Sequence, residues 1–525
     1  MASHAPAATA AVSPQATSRW ASGPALVAYV SAALLALHLL TASRYGYFGD
    51  EMYHVACGEH LAWGYVDQPP LIALVAWLVR HTLGTSLLAI RFVPALAGAA
   101  TVLLTGALAR QLGGGRFAQA LAALCIACAS VYLVLNHLFT MNAWEPLLWT
   151  GCAYIVVRII KTGDQKLWLW FGLLSGVGLE NKYSMAVFGF GIVVGLLLTP
   201  ERKALASKWI WLAGGLALAI FLPNLLWNIR YHFPFLELLH NIRASGRDVV
   251  LGPAQYLLQQ ILIMNPLTFP VWLAGIVYLF FSRNGRSYRL LGWSFLAVFL
   301  TFFLQHGKDY YTSPVYPIVF TAGAVALEQI TQNWSGAWLR GIFVTLLLAG
   351  TAAMLPLNLP VLSPERLVRY VEKFPLKPQA SERAHARAEL PHYFAWQFGW
   401  PEMVEEVARV YHSLPPDEQA KTAIIGNNFA ESGAVDLLGP KYGLPKSIGV
   451  HQSYWLWGPR NYTGEIMIVL GDEPEDLGRW CNTVDIIAEP PNIPYMAVFE
   501  RHPVLLCRGL RGNLQQLWPK LKDWD

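Results

Sequence analysis

YGYFGDEMYHVACGEHLAWGYVDQPPL, residues 45–71, places two adjacent carboxylates, Asp50 and Glu51, just past an apolar run from Pro24 to Ser43. A run of that length is enough to cross a bilayer. The same stretch adds His54, Glu59, His60 and Asp67, and Pro69 and Pro70 then lead back into apolar sequence. Acids at the end of a membrane span are costly unless they face water or a partner. The rest of the chain must therefore supply a reason for them.

Composition supports the membrane reading. The 525 residues are 55% hydrophobic and 14% charged, against about 25% charged in a typical soluble domain. The net charge of +5 comes from short basic clusters scattered between apolar runs. That is how topology is written, not how a nucleic-acid-binding face is built, so no nucleic-acid partner is expected. Cys125, Cys128 and Cys152 lie inside apolar runs and read as small core residues. Cys481 and Cys507 lie in the polar C-terminal part and can pair if that part is outside the cytoplasm. No cleavable signal peptide is recognisable, and residues 1–23 read as a short disordered cytoplasmic tail.

About eleven spans are expected, near 24–43, 87–109, 117–135, 143–160, 167–180, 183–198, 209–228, 260–281, 290–305, 313–330 and 338–357. Residues 70–83 are apolar but short and read as an interfacial or re-entrant helix. Arg110 and Arg116, then Arg158, Lys161 and Lys166, then Arg202, Lys203 and Lys208, then Arg283, Arg286 and Arg289 fill every second connection. Short basic connections are cytoplasmic. The N-terminus is then inside, and the loops 44–86 and 229–259 and everything after 358 are outside.

With that orientation, Asp50, Glu51, Glu59, Asp67, His137, Glu145, Glu180, Lys182, Lys308 and Asp309 all fall at external span ends. Two spans are short. About 13 apolar residues precede Glu180-Asn181-Lys182, and at 1.5 Å per residue they reach only about 20 Å. The span before Lys308 and Asp309 is similarly short. Both turns should sit below the outer surface, where irregular polar backbone must line water or protein. An external cavity between these turns and the first loop follows. From 359 to 525 long apolar runs stop, and strands near 423–425, 465–470, 484–488 and 504–507 alternate with helices near 401–412, 430–438 and 475–480. This predicts an extracytoplasmic α/β domain, without a nucleotide-binding glycine motif.

Each candidate has an ordinary alternative. Asp50-Glu51 fits either a helix cap or a general base at the cavity mouth. Glu145, in Asn142-Ala143-Trp144-Glu145, fits a capping box or a second acid facing the cavity. Lys182 and Lys308 fit snorkelling lysines or point charges for a phosphate. Tyr310 and Tyr311 fit either ordinary interface residues or cavity lining, and His54 is read with them as cavity lining. His54, His60 and His137 lack metal-ligand spacing, so no metal or other cofactor is assigned, and a divalent cation has no motif behind it. The aromatic and polar stretch 451–459 suits either a sugar platform or a membrane-facing patch.

Taken together, YFGDEMYH (47–54), VDQPPL (66–71), TMNAWEPL (140–147), GLENKY (178–183) and KDYYTSPVYP (308–317) resemble the C-type membrane glycosyltransferases. The resemblance is to the family-39-like enzymes related to protein O-mannosyltransferases and lipid A aminoarabinose transferases, and it covers residues 20–360. It implies an inverting transferase of the bacterial plasma membrane that takes sugar from a polyprenyl-phosphate donor to a hydroxyl acceptor on a protein, lipid or glycan. It puts the catalytic acid at Asp50, with Glu51 beside it. The second acid falls on Glu145, where Asp is more usual, and the donor-phosphate lysines fall on Lys182 and Lys308. A transporter or flippase remains the rival from the residues alone, although no repeat between the halves is visible. A membrane-anchored binding protein working through 359–525 is a third reading.

Overall fold

The computed structural model describes residues 19–332, 334–374, 382 and 389–525. The tail expected over 1–23 therefore lies outside the described residues up to residue 18. The apolar runs become helices: α1 (Gly23–Thr41), α2 (Gly49–Glu59), α3 (Leu71–Thr82), α4 (Leu87–Gln111), α5 (Arg116–Cys128), α6 (Ser130–Leu135), α7 (Glu145–Thr162) and α8 (Trp168–Asn181). The second half adds α9 (Met185–Leu197), α10 (Lys208–Arg230), α11 (Pro234–Ser245), α12 (Pro253–Ile263), α13 (Phe269–Phe281), α14 (Arg289–Leu304), α15 (Tyr316–Ile330) and α16 (Trp334–Asn358).

Six of the described helices are long and apolar enough to cross a membrane, or up to eight if two sharply bent pairs each count as one span. The expected count of eleven is not reached by length, for local reasons. The span expected over 117–135 breaks at Ala129, whose extended backbone separates α5 from α6. The one expected over 260–281 breaks at Asn265, at φ 68, and the helices on either side meet at 92°. α8 has 14 residues, about 21 Å at 1.5 Å per residue, as its sequence suggested. α3 is the short apolar helix expected after Pro70.

Close helix crossings hold the bundle together. A Cβ on Gly275 of α13 would lie 1.9 Å from the Val319 carbonyl oxygen, and one on Gly323 of α15 would lie 1.8 Å from that of Val271. Small residues at crossings let backbones approach, which drives packing where lipid supplies no hydrophobic gain. Lys161, Arg286 and Arg289, from connections expected to be cytoplasmic, line one cleft at the bundle end away from α2.

The C-terminal part contains strands β1 (Thr422–Gly426), β2 (Ile448–Gly449), β3 (Ile466–Leu470), β4 (Cys481–Ala488) and β5 (Val504–Leu510) in the order β2-β1-β3-β5-β4. β1 pairs in parallel with β2 and β3, whereas β5 runs antiparallel to β3 and β4. Helices Trp400–Ser413, Phe429–Leu438 and Pro474–Leu477 lie where the sequence put them. The two-residue strand β2 carried no pattern long enough to read. Cys481 and Cys507 form a disulfide between β4 and β5.

This domain sits on the first loop. A Cβ on Gly46 would meet the Gln397 carbonyl at 2.0 Å, and one on Gly49 would meet the Trp396 ring at 2.7 Å. From the other side, Gly433 approaches the Met52 and Tyr53 backbone, with a virtual Cβ 3.0 Å from Met52. The undecided stretch 451–459 packs here too: Trp457 stacks on His60 with ring centroids 4.2 Å apart.

Candidate active site

α2 carries the acids. Asp50 is its second residue, partly accessible, and its carboxyl makes no hydrogen bond among the described residues. A helix N-terminus favours an anion, but burial and then the charges of Asp67 and Glu382 push this carboxyl up to about 7. Lys308 pulls the other way, and Glu51 adds a smaller push. A carboxylate that titrates near neutrality and has no donor occupying it is suited to accept a proton.

Glu51 does something different. It is fully buried, and its two oxygens accept from Arg91 Nε at 2.9 Å, Arg91 Nη2 at 2.7 Å, Phe48 N at 2.9 Å and Phe139 N at 2.9 Å. Four donors fill the capacity of a carboxylate. The reading of Glu51 as a catalytic partner of Asp50 is therefore corrected: it locks α2 to α4 and to the 139 turn. Arg91 extends the lock to the Ala42 carbonyl at 2.7 Å, the Gly46 carbonyl at 2.8 Å and Gln397 Oε1 at 3.2 Å. An arginine inside an expected span was the signal for this partner, since such charges are almost always paired.

His54 is also corrected. It is buried, with Nδ1 3.0 Å from the Phe139 carbonyl oxygen, and burial lowers it to about 4. It is a neutral packing residue, not cavity lining. His60 stacks on Trp457 and His137 on His38, so the three histidines stay apart. Among the described residues no group of three His, Cys, Asp or Glu side chains is placed to hold a metal ion.

The other candidates converge. Glu145 opens α7 without forming a side-chain cap. Its carboxylate takes Lys182 Nζ at 3.0 Å and the Ser184 hydroxyl. Lys182 also donates to Asn142 Oδ1 at 2.7 Å, and lies over the ring of Tyr311 at 4.6 Å and that of Tyr310 at 5.7 Å. Tyr310 feels the charge of Asp50, which closes the circuit from α7 to α2. Lys308 Nζ pairs with Glu382 at 2.8 Å and Asp248 at 3.3 Å. Burial lowers Lys308, but Tyr311, Glu382 and Asp248 outweigh it and hold the ammonium above its ordinary value. The 309–316 turn is fixed by Gln260 of α12, which donates to the Asp309 carbonyl at 2.8 Å and accepts from Thr312 at 2.6 Å.

Two neighbours of Asp50 had no assigned role in the sequence. Asp67, in VDQPPL, faces Asp50 and is pushed up to about 6 by burial, against the Tyr53 hydroxyl that lowers it. Tyr53 lies three residues after Asp50, on the same side of α2. Its signal was only helical spacing.

A model of the family described as dolichyl-phosphate-mannose-protein mannosyltransferase matches residues 67–227. The chain is 23% identical over 316 residues to the lipid A galacturonosyltransferase RgtD of Rhizobium johnstonii, a match over 59% of this chain and 65% of that protein. It thus spans somewhat less than two thirds of that relative's length. The fold is similar to ArnT from Cupriavidus metallidurans bound to undecaprenyl phosphate, with a TM-score of 0.61 and 15% identity over 91% of this chain and 97% of ArnT. It is also similar to the archaeal oligosaccharyltransferase AglB of Archaeoglobus fulgidus in complex with an inhibitory peptide and a dolichol-phosphate, with a TM-score of 0.50 and 12% identity over 79% of this chain and 63% of AglB. The arrangement that the five sequence motifs pointed to is the one this chain adopts, and its fold is that of the C-type membrane glycosyltransferases.

Proposed function

We propose that this chain moves a sugar from a polyprenyl-phosphate-linked donor to a hydroxyl acceptor on the extracytoplasmic side of a bacterial plasma membrane, with inversion at the anomeric carbon. The observation behind this reading is one assembly: a near-neutral carboxyl, Asp50, on the same face as two lysine-bearing turns. The likeness to a fold solved with undecaprenyl phosphate supports it.

The chemistry fits in one displacement. Asp50 takes the proton of the acceptor hydroxyl as that oxygen bonds to the anomeric carbon. The bond from this carbon to the phosphate oxygen breaks, and its electron pair leaves with the polyprenyl phosphate. The leaving phosphate gains negative charge, which Lys182 and Lys308 meet. Each ammonium is already held by a carboxylate, Lys182 by Glu145 and Lys308 by Glu382. Ammonium groups fixed beforehand need little rearrangement when charge develops. Glu145, with both oxygens engaged, aims Lys182. One displacement at one carbon inverts it.

Asp50→Asn keeps the shape and removes the base. Mass spectrometry of lipid-linked sugars and glycoconjugates in cells carrying this variant should show donor accumulating and product missing, with protein level unchanged. Full product formation by the variant would remove Asp50 from the mechanism. Uptake of substrate into sealed vesicles without a new glycosidic bond would favour a transporter instead.

A further inference from the structure

The C-terminal domain reaches the reaction centre through a short chain of hydroxyl groups. Tyr53 OH lies 2.8 Å from Asp67 Oδ1 and 2.8 Å from Ser453 Oγ. Ser453 is fully buried and its oxygen accepts from Val66 N at 3.1 Å. A tyrosine has one proton to give. With Asp67 ionised, that proton goes to the carboxylate, so the Ser453 hydroxyl donates to the Tyr53 oxygen. The serine is thus fixed by Val66 on one side and supports the tyrosine on the other. Hydrogen bonds in series polarise one another. Lys446 of the same domain pairs with Glu59 at 2.7 Å at the far end of α2, so the contact runs along the helix.

We propose that Ser453 is a positioning residue of the reaction centre: through Tyr53 it holds the Asp67 carboxylate against Asp50, so that Asp50 is a competent base only with the C-terminal domain docked. The proposal rests on the glycosyltransferase reading and deepens it. The charged and titratable groups facing Asp50 are Asp67 of the first loop, Glu51 of α2, Lys308 and Tyr310 of the 308–315 turn, and Glu382. Of these, Asp67 exerts the largest push after burial. Its carboxylate accepts from Tyr53, and Tyr53 is in turn held by the bond to Ser453 that crosses from one domain to the other.

Tyr53→Phe and Ser453→Ala test this. Without the hydroxyl donor, Asp67 holds its proton more tightly and its repulsion of Asp50 fades. Asp50 then ionises at lower pH and becomes a weaker base. The acid limb of kcat against pH should move down by about half a unit or more in Tyr53→Phe, and the plateau rate should fall several-fold. Ser453→Ala should show the same direction with a smaller shift. A purely structural role lowers the amount of folded enzyme and leaves the limb in place. Rates are therefore normalised to the monodisperse fraction in detergent. Acid limbs that overlay the wild type in both variants overturn the proposal. A well-folded wild type that transfers no sugar from any polyprenyl-phosphate donor overturns the underlying reading instead.

Discussion

Arg91 and Glu51 form a two-pronged ion pair with both side chains completely removed from solvent, Nε to Oε1 at 2.9 Å and Nη2 to Oε2 at 2.7 Å. The pair joins α4 to the helix that carries Asp50. Removing one partner of a buried pair leaves an uncompensated charge and costs about 3–5 kcal/mol. Glu51→Ala and Arg91→Met should therefore lower the melting temperature in detergent sharply and reduce the yield of monodisperse protein. Asp50→Asn, one residue away, should melt like the wild type. Equal melting of Glu51→Ala and wild type would return Glu51 to the catalytic candidates.

Lys182 should act on the rate more than on binding. Its partners Glu145, Asn142 and the Tyr311 face hold the ammonium in place before any phosphate arrives. Removal of one such electrostatic group typically costs about 10²-fold in kcat. Lys182→Met should show that loss with a smaller change in KM for the donor. Glu145→Gln keeps the ammonium but loosens its aim, so its defect should be milder. Steady-state kinetics over a range of donor concentrations separates the two effects, and a loss confined to KM would make Lys182 a ground-state anchor only.

Asp50 sets the expected pH dependence. Its carboxyl is pushed up to about 7, chiefly by burial. The base works only when ionised, so kcat/KM should rise with pH through about 7 and then level. An acid limb centred near 4, the ordinary carboxylate range, would mean that Asp50 is more solvated during turnover than this structure shows.

The motifs marked the charged groups that the fold gathers because charge is costly near lipid, so Asp50, Glu145, Lys182 and Lys308 stood out against apolar flanks. The short span before Lys182 was legible for the same reason, since length follows directly from residue count. The division of labour between Asp50 and Glu51 was not legible. Adjacent residues on a helix point about 100° apart, and only the folded chain shows that Glu51 turns to Arg91, forty residues on. His54 looked available for the same reason, until the Phe139 carbonyl met it. The breaks at Ala129 and Asn265 left no mark in hydropathy, because a bend keeps the composition of a straight span. The contact of Ser453 with Tyr53 joins residues 400 apart in sequence and carries no local pattern.

The docked domain should also respond to pH through Glu431 and Glu500. Burial pushes Glu431 up to about 7, and Glu500 lies well above its ordinary value from burial and then from the charge of Glu431. Glu500 Oε1 takes the Trp396 indole N–H at 2.6 Å, and that indole lies against Gly49, the neighbour of Asp50. The folded domain therefore holds protons more tightly than the unfolded chain does. The stability this contributes is complete below about 4.5, the ordinary glutamate range, and is lost as pH rises through about 7. Ionising both acids sets like charges side by side in a buried place and pushes Trp396 off Gly49. Melting measured in detergent should accordingly fall from pH 5.5 to pH 8 in the wild type, and Glu431→Gln, which cannot ionise, should flatten that fall. If the two slopes coincide, the acids do not govern docking, and the hold of the domain on α2 rests on its other contacts, among them the glycine approaches, the Tyr53–Ser453 bond, the His60–Trp457 stack and the Lys446–Glu59 pair.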